Sequence, residues 1–516
     1  MKKYTLSAIL LSVLVVLASS APILYFYLHP QDNLVFLGRR YVNSQDVYTY
    51  VSFIEQAKQG RTLFENLYTT EAQSPSLLRP SYLGIGKLAQ LTSMPAIGGY
   101  HLARIFLSFL FCLILYRFLR HFFKDENGRF LAYALILTAS GLGWLVARWS
   151  NTATDLWIPE GNTFMMLGEA PHFILSQILM LAGFDSFLSY LKDRKLWRII
   201  LAAVLFLALS FEHPFNLVII APTLFLTALW SQIPLLTALS IAVSSALGLG
   251  YQYYTTLANP ILASWQAQNI LLSPTPSAYL LGYGIILILG LIAAEKWLQT
   301  KVSSSSSKFL LTWVGVTLLL LYIPLSFQRR LVEGLHVALG ILATSGLLLW
   351  TGRYRERLAG QLIALTIGVL SLTSIYNLYT DFKAIGKDQA GNHYYHLSGD
   401  EQAAIAWLGR ETSSDDVILS NWFNGNLIPG LIGRKVYLGH QIQTTDWDGK
   451  NRSLDVFVHN TDPSLSQKFL KDHGVTYVFL SKNDILTQNG LKPENYRELK
   501  SVYSQNEVTI YKVNLN

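Results

Sequence analysis

Apolar runs recur along most of the chain, separated by short polar stretches, and then stop. They lie at about 4–28, 98–121, 130–147, 171–190, 196–212, 214–230, 234–253, 277–298, 308–327, 332–350 and 359–379. Each approaches the roughly 20 residues that carry a helix across a bilayer. This pattern predicts a polytopic α-helical membrane protein with about 11 transmembrane helices. The region 196–230 decides the parity. Its rise of roughly 50 Å is long for one crossing and short for two, and Glu212-His213-Pro214-Phe215-Asn216 interrupts it.

The distribution of positive charge favours a hairpin there. With a hairpin, Lys2, Lys3, Arg117, Arg120, Lys124, Arg129, Lys192, Arg194, Lys195 and Arg198 fall at cytoplasmic ends, and so do Lys296, Lys301, Lys308, Arg353, Arg355 and Arg357. A single long helix would move that last group outside, against the positive-inside trend. The expected topology is therefore a multi-pass protein of the cell membrane, with a cytoplasmic N-terminus and an external C-terminal domain. The run Tyr4 to Leu28 continues past the small residues Ala18 to Ala21, so it reads as an uncleaved first helix rather than a signal peptide.

From about residue 382 the pattern changes to short β-rich runs alternating with helical ones. Strands are expected at Val417 to Asn421, Lys435 to Gly439, Thr476 to Ser481 and Val508 to Val513, with helices at Asp400 to Arg410 and Ser464 to His473. The expected organisation is a transmembrane domain over 1–381, with a first external loop at 30–96, followed by an external soluble α/β domain over 382–516. In the loop, Val47, Tyr50, Val51 and Ile54 recur at helical spacing, which predicts an amphipathic helix on the membrane surface. A second helix is expected over Gly84 to Leu91.

Composition adds mainly exclusions. At 51% hydrophobic and 14% charged residues the chain is too apolar for an ordinary soluble protein. The net charge of +8 sits in short loops without a basic, aromatic-rich stripe, so no nucleic-acid partner is expected. The single cysteine, Cys112, lies in an apolar run and offers neither an intrachain disulfide nor a cysteine metal site. There is no Gly-x-x-x-x-Gly-Lys-Ser/Thr loop, no His-Glu-x-x-His and no Gly-x-Ser-x-Gly.

Chemistry concentrates in the segments assigned to the outer side. Asp46 opens the polar amphipathic stretch behind the first span. It reads either as a helix-capping residue at N3 under Asn43 or as a general base or metal-binding carboxylate. Glu169 and His172 flank Pro171 at the start of a span, as a capped helix or as part of a site. Glu212 and His213 occupy the recessed turn, where ionisable groups need a partner or a wet cavity. Arg329 and Arg330 run against the positive-inside trend and suit a phosphate, the alternative being snorkelling arginines; Glu333 and His336 follow them. Asn424, Asn426, His440 and Asp446 form a polar region of the C-terminal domain that reads as an acceptor guide or as ordinary turns.

The first span, the long loop opening on Asp46-x-Tyr48 with Ala57-Lys58-Gln59-Gly60 behind it, the many spans and the exported α/β domain together resemble the GT-C superfamily of membrane glycosyltransferases. The nearest resemblance is to bacterial relatives of the protein mannosyltransferases and the aminoarabinose lipid A transferases. It implies an inverting, hexosyl-type transfer from a polyprenyl-phosphate-linked sugar donor to a lipid, glycan or protein acceptor. In that reading Asp46 is the base or metal-associated group, and Arg329 with Arg330 holds the donor phosphate. Glu169, His172, Glu212 and His213 are supporting acid/base candidates. The cofactor is left open between none and a divalent cation: many members carry two adjacent acids, whereas Asp46 lies between Gln45 and Val47, so a paired-acid metal site would need Glu169 or Glu212 to complete it. Two other classes stand beside this one. A transporter or flippase of lipid-linked sugars should show paired repeats, and a noncatalytic membrane scaffold needs no acid cluster.

Overall fold

The structure is a computed structural model that describes residues 2–300, 304–388, 394–459, 462–481, 486 and 491–515. All the apolar segments are helical: Lys2–Leu28, Ala96–Phe118, Glu126–Thr138, Pro171–Asp193, Leu196–Glu212, Leu217–Trp230, Leu235–Ala258, Pro276–Gln299, Ser305–Leu320, Leu335–Thr351 and the consecutive pair Glu356–Leu370 and Leu372–Asp388. Among the described residues, seven helices are long and apolar enough to cross a membrane, while Pro214–Trp230 and Ser305–Leu320 are shorter apolar helices. The hairpin expected at 212–216 is a break: a 3-10 turn at Pro214–Asn216 separates two helices. Proline lacks the N–H that would continue the first of them.

The chain divides into two compact units. The helical unit comprises 1–22, 101–254 and 270–381, and the mixed unit comprises 23–100, 255–269 and 382–516. In the helical unit, Pro276–Gln299 and Leu335–Thr351 pack so closely that a Cβ at Gly346 would lie 1.9 Å from the Leu289 carbonyl oxygen. Phe184, Phe309 and Trp313 meet at ring separations of 4.8 to 5.8 Å. Asp185 ties the ends of two helices together, accepting from Arg117 at 3.0 Å and Arg120 at 3.3 Å, with His121 at 2.9 Å.

In the mixed unit, β1 (Leu34–Phe36) pairs antiparallel with β2 (His396–Ser398). The main sheet contains β3 (Val417–Leu419), β4 (Lys435–Val436), β5 (Val475–Ser481), β6 (Leu499–Gln505) and β7 (Val508–Val513) in the order β4-β3-β5-β7-β6. Strands β3, β4 and β5 run parallel, and the β6–β7 hairpin adds antiparallel to β5. Side chains alternate across the strands. Val417, Leu419, Val478 and Leu480 face Leu454, Phe457 and Leu470 of the helices Trp447–His459 and Pro463–Asp472 in one core.

The first-loop helix runs from Asp46 to Lys58 and a second from Pro80 to Thr92. The expected surface-lying amphipath is corrected in one respect. Every residue from Val47 to Ala57 except Tyr50 is buried. The cause is packing against Pro80–Thr92 and Trp422–Ile432, each brought close by a glycine. A Cβ at Gly86 would stand 2.4 Å from the Ala57 Cβ, and one at Gly430 would stand 2.7 Å from Tyr48 Cδ1.

Overpacking a tight contact typically costs about 1–3 kcal/mol. Gly86→Val should therefore lower the thermal unfolding temperature of the purified protein clearly, whereas Gly84→Val, where an added Cβ meets nothing within 4 Å, should cost much less. Equal melting of the two variants would contradict this packing.

Candidate functional site

Asp46 is the first residue of its helix. Gln45 precedes it in helical conformation without a side-chain cap, and Asn43 is left-handed at φ 50°. The expected N3 cap under Asn43 is therefore not formed. The carboxylate instead meets His440, with Oδ1 at 2.9 Å from Nε2. His440 is fixed from behind: the N–H groups of Ile442 and Gln443 point at its Nδ1 at 3.2 and 3.3 Å. Nδ1 must accept, so the neutral ring carries its proton on Nε2 and donates it to Asp46. The histidine side chain is 5% exposed and the aspartate 40%, so the pair is anchored at one end and accessible at the other.

The loop that holds His440 follows β4. Gly439 N–H donates to Thr444 Oγ1 at 3.2 Å, and Thr444 N–H donates to the His440 carbonyl at 2.8 Å. The first loop is stitched to it: Asn66 Nδ2 donates to the Gln443 carbonyl at 2.7 Å, and Lys450 Nζ lies 2.9 Å from Glu71. Burial pushes the Lys450 ammonium below its ordinary pKa, and Glu71 pulls against that shift.

Arg39, which sequence reasoning passed over, completes this neighbourhood. It is fully buried, stacks 4.7 Å over the Tyr48 ring and donates to Asn426 Oδ1, while Asn426 Nδ2 donates to the carbonyl of Gln45 at 3.2 Å. Among the described residues no carboxylate lies within ion-pair distance of it. Tyr48 is itself locked, donating to the Leu37 carbonyl at 3.1 Å. Of the polar residues singled out in the C-terminal domain, His440 and Asn426 join Asp46. Asn424 is buried beside them in sequence, and Asp446 accepts from Gly449 N–H at 3.2 Å as a turn residue.

The other candidates belong to the helical unit. Pro171 is the first residue of its helix, with Glu169 buried just ahead and His172 fully buried in the first turn. Glu212 ends the preceding helix of the hairpin and is buried. His213 is placed by residues the sequence reading mentioned only in passing or not at all. Its Nδ1 lies 2.7 Å from Glu333 Oε2, Ser176 donates to Glu333 Oε1, and Asn216 Nδ2 donates to Ser176 at 2.7 Å. The His172 and His213 rings are 6.0 Å apart. Arg329 lies 5.3 Å over the Trp157 ring and Arg330 lies 4.6 Å over Phe215, whose ring is 5.4 Å from His213. His336 turns away to Thr163, 2.8 Å from its Oγ1. Among the described residues, no three His, Cys, Asp or Glu side chains are arranged to hold a metal ion.

Residues 280–515 match a family model described as a family of unknown function, DUF6541. No curated protein matches the chain. Several solved structures do. The Archaeoglobus fulgidus oligosaccharyltransferase tethered with an acceptor peptide shares 13% identity over 99% of this chain and 74% of its own, with a TM-score of 0.57. The same archaeal enzyme, AglB, in complex with an inhibitory peptide and a dolichol-phosphate gives 13% identity, the same coverage and a TM-score of 0.55. ArnT from Cupriavidus metallidurans, bound to undecaprenyl phosphate, gives 13% identity over 98% of this chain and 97% of its own, with a TM-score of 0.53. The chain is thus a multi-pass membrane protein with the GT-C fold.

Two measurements check the geometry. In nitrogen-15 spectra at neutral pH, His440 should show an unprotonated Nδ1 and a protonated Nε2, and the opposite tautomer would refute the contact with Asp46. Removing one member of a buried pair typically costs about 3–5 kcal/mol. Glu333→Ala should destabilise the purified protein on that scale, and the Glu333→Leu, His213→Phe double variant distinctly less.

Proposed function

We propose that this chain is a membrane glycosyltransferase that moves a sugar from a polyprenyl-phosphate carrier to an acceptor hydroxyl, with inversion. The observation that carries the reading is the Asp46–His440 pair, a carboxylate held at 2.9 Å by a histidine of fixed tautomer and left 40% exposed. The fold supports it, since AglB and ArnT share the fold and their structures contain dolichol-phosphate and undecaprenyl phosphate. Charge parity of the loops supports an external site, with the N-terminus cytoplasmic and the C-terminal segment outside.

In this mechanism Asp46 takes the proton of the acceptor hydroxyl, and the oxygen attacks the anomeric carbon as its bond to the phosphate oxygen breaks. The polyprenyl phosphate leaves with the bonding electrons. His440 keeps the carboxylate aimed by donating to Oδ1. Arg329 and Arg330 are assigned to the phosphate, where fixed cations stabilise charge that grows in the transition state. Both stand on aromatic faces, which help to hold the guanidinium groups in place. Glu169, His172, Glu212 and His213 remain supporting acid/base candidates, with His213 the best placed through Glu333. A divalent cation is left open, with Asp46 as the candidate ligand.

A positioned general base is typically worth about 10² to 10⁴ in rate. Asp46→Asn should lose transfer by that factor while the protein still inserts and still binds undecaprenyl phosphate, and near-normal turnover would remove the assignment. Arg330→Ala should weaken binding of that lipid instead. Unchanged binding there would move the phosphate site elsewhere.

A further inference from the structure

In the helical unit, the end of Leu217–Trp230 and the helix Ser305–Leu320 flank an open, mostly apolar groove of about 540 Å³, lined by Leu226, Leu229, Trp230, Thr312, Gly315, Val316 and Leu319. None of its lining residues is among those assigned to the reaction. Leu226, Leu229, Trp230 and Leu319 are all exposed, with no protein packed over them.

Three observations say what the groove fits. The two helices have 14 and 16 residues, about 21 and 24 Å at 1.5 Å per residue, against a hydrocarbon core of about 30 Å. Helices this short are accommodated by local thinning of the bilayer and by flanking residues that reach the headgroups. Next, Gly315 sits inside a helix, where glycine typically costs about 0.5–1 kcal/mol relative to alanine. At Gly346 close helix packing explains the glycine, but a Cβ at Gly315 would meet nothing within 4 Å. Its effect is to deepen the floor of the groove. Finally, one end is cationic. Lys308 Nζ donates to the Trp230 carbonyl at 2.9 Å, using one of the ammonium's three donors. Tryptophan and lysine are the residue types that mark headgroup depth.

An apolar trough with an ammonium and an indole at one end is complementary to an anionic amphiphile lying along the bilayer normal. We propose that this groove is a binding site for one anionic membrane phospholipid, its phosphate on Lys308 and an acyl chain laid over Gly315. A polyprenyl phosphate has related chemistry, but the bulk lipid of the bilayer is the one that surrounds these helices at high concentration. The site would hold the two short helices against their neighbours.

Native mass spectrometry of the full-length protein, with phosphatidylglycerol as the probe, tests this directly. The wild type should retain one molecule. A surface lysine contributes about 1 kcal/mol toward anionic lipid, so Lys308→Gln should lower retention roughly fivefold. Gly315→Trp should fill the groove and abolish retention, while Gly315→Ala should bind as the wild type does and serve as the folding control. Three results would overturn the proposal: equal retention by the wild type, Lys308→Gln and Gly315→Trp; equal retention of diacylglycerol, which lacks the phosphate; or displacement by equimolar undecaprenyl phosphate, which would assign the groove to the carrier lipid.

Discussion

Taking a charge out of water costs several kcal/mol per ion unless a partner is built in with it. In a chain that is half hydrophobic, this constraint dictates where ionisable groups can sit. Asp185 gathers two arginines and a histidine. Glu333 is met by His213 and Ser176, and Lys450 by Glu71. Arg39 is enclosed by aromatic rings and one carboxamide. Asp46 differs from these. It is met by His440 Nε2 at 2.9 Å, and much of the carboxylate remains accessible. A group that holds an oriented negative charge without burying it is suited to accept a proton from a bound hydroxyl.

The same constraint explains how much was legible in the sequence. The helices of the membrane part follow from apolar runs alone, because a backbone in hydrocarbon must satisfy its own hydrogen bonds. The break at Pro214 and the helix start at Pro171 follow from what proline lacks. Strands β5 and β7 were readable from β-branched and aromatic runs, whereas β6, with the sequence LKSVYSQ, carries few apolar residues. The helix Trp422–Ile432 was missed because its Gly425, Pro429 and Gly430 are poor helix formers locally. Packing accounts for two of those residues: Gly430 admits Tyr48 of the helix Asp46–Lys58, and Gly425 admits the backbone of Leu438.

The candidate site was legible as residue types and illegible as pairs. Asp46 and His440 stand 394 positions apart, and no local spacing links them. The tautomer that makes His440 a donor depends on two backbone N–H groups of its own loop. Arg39 carried the same signal as Arg329 and Arg330, a cation on the outer side against the positive-inside trend, but nothing local showed that it would be buried. Glu333 and His213 were each noticed for the chemistry of their own segment, and the fold joins them across 120 residues.

The central claim is that this GT-C scaffold transfers a sugar. The most direct measurement is the fate of the label when the purified protein, reconstituted in proteoliposomes, is given a polyprenyl-phosphate sugar radiolabelled in the sugar and an acceptor-containing membrane extract. The account predicts label in the acceptor together with release of unlabelled polyprenyl phosphate. Movement of labelled lipid across the bilayer without transfer would contradict it.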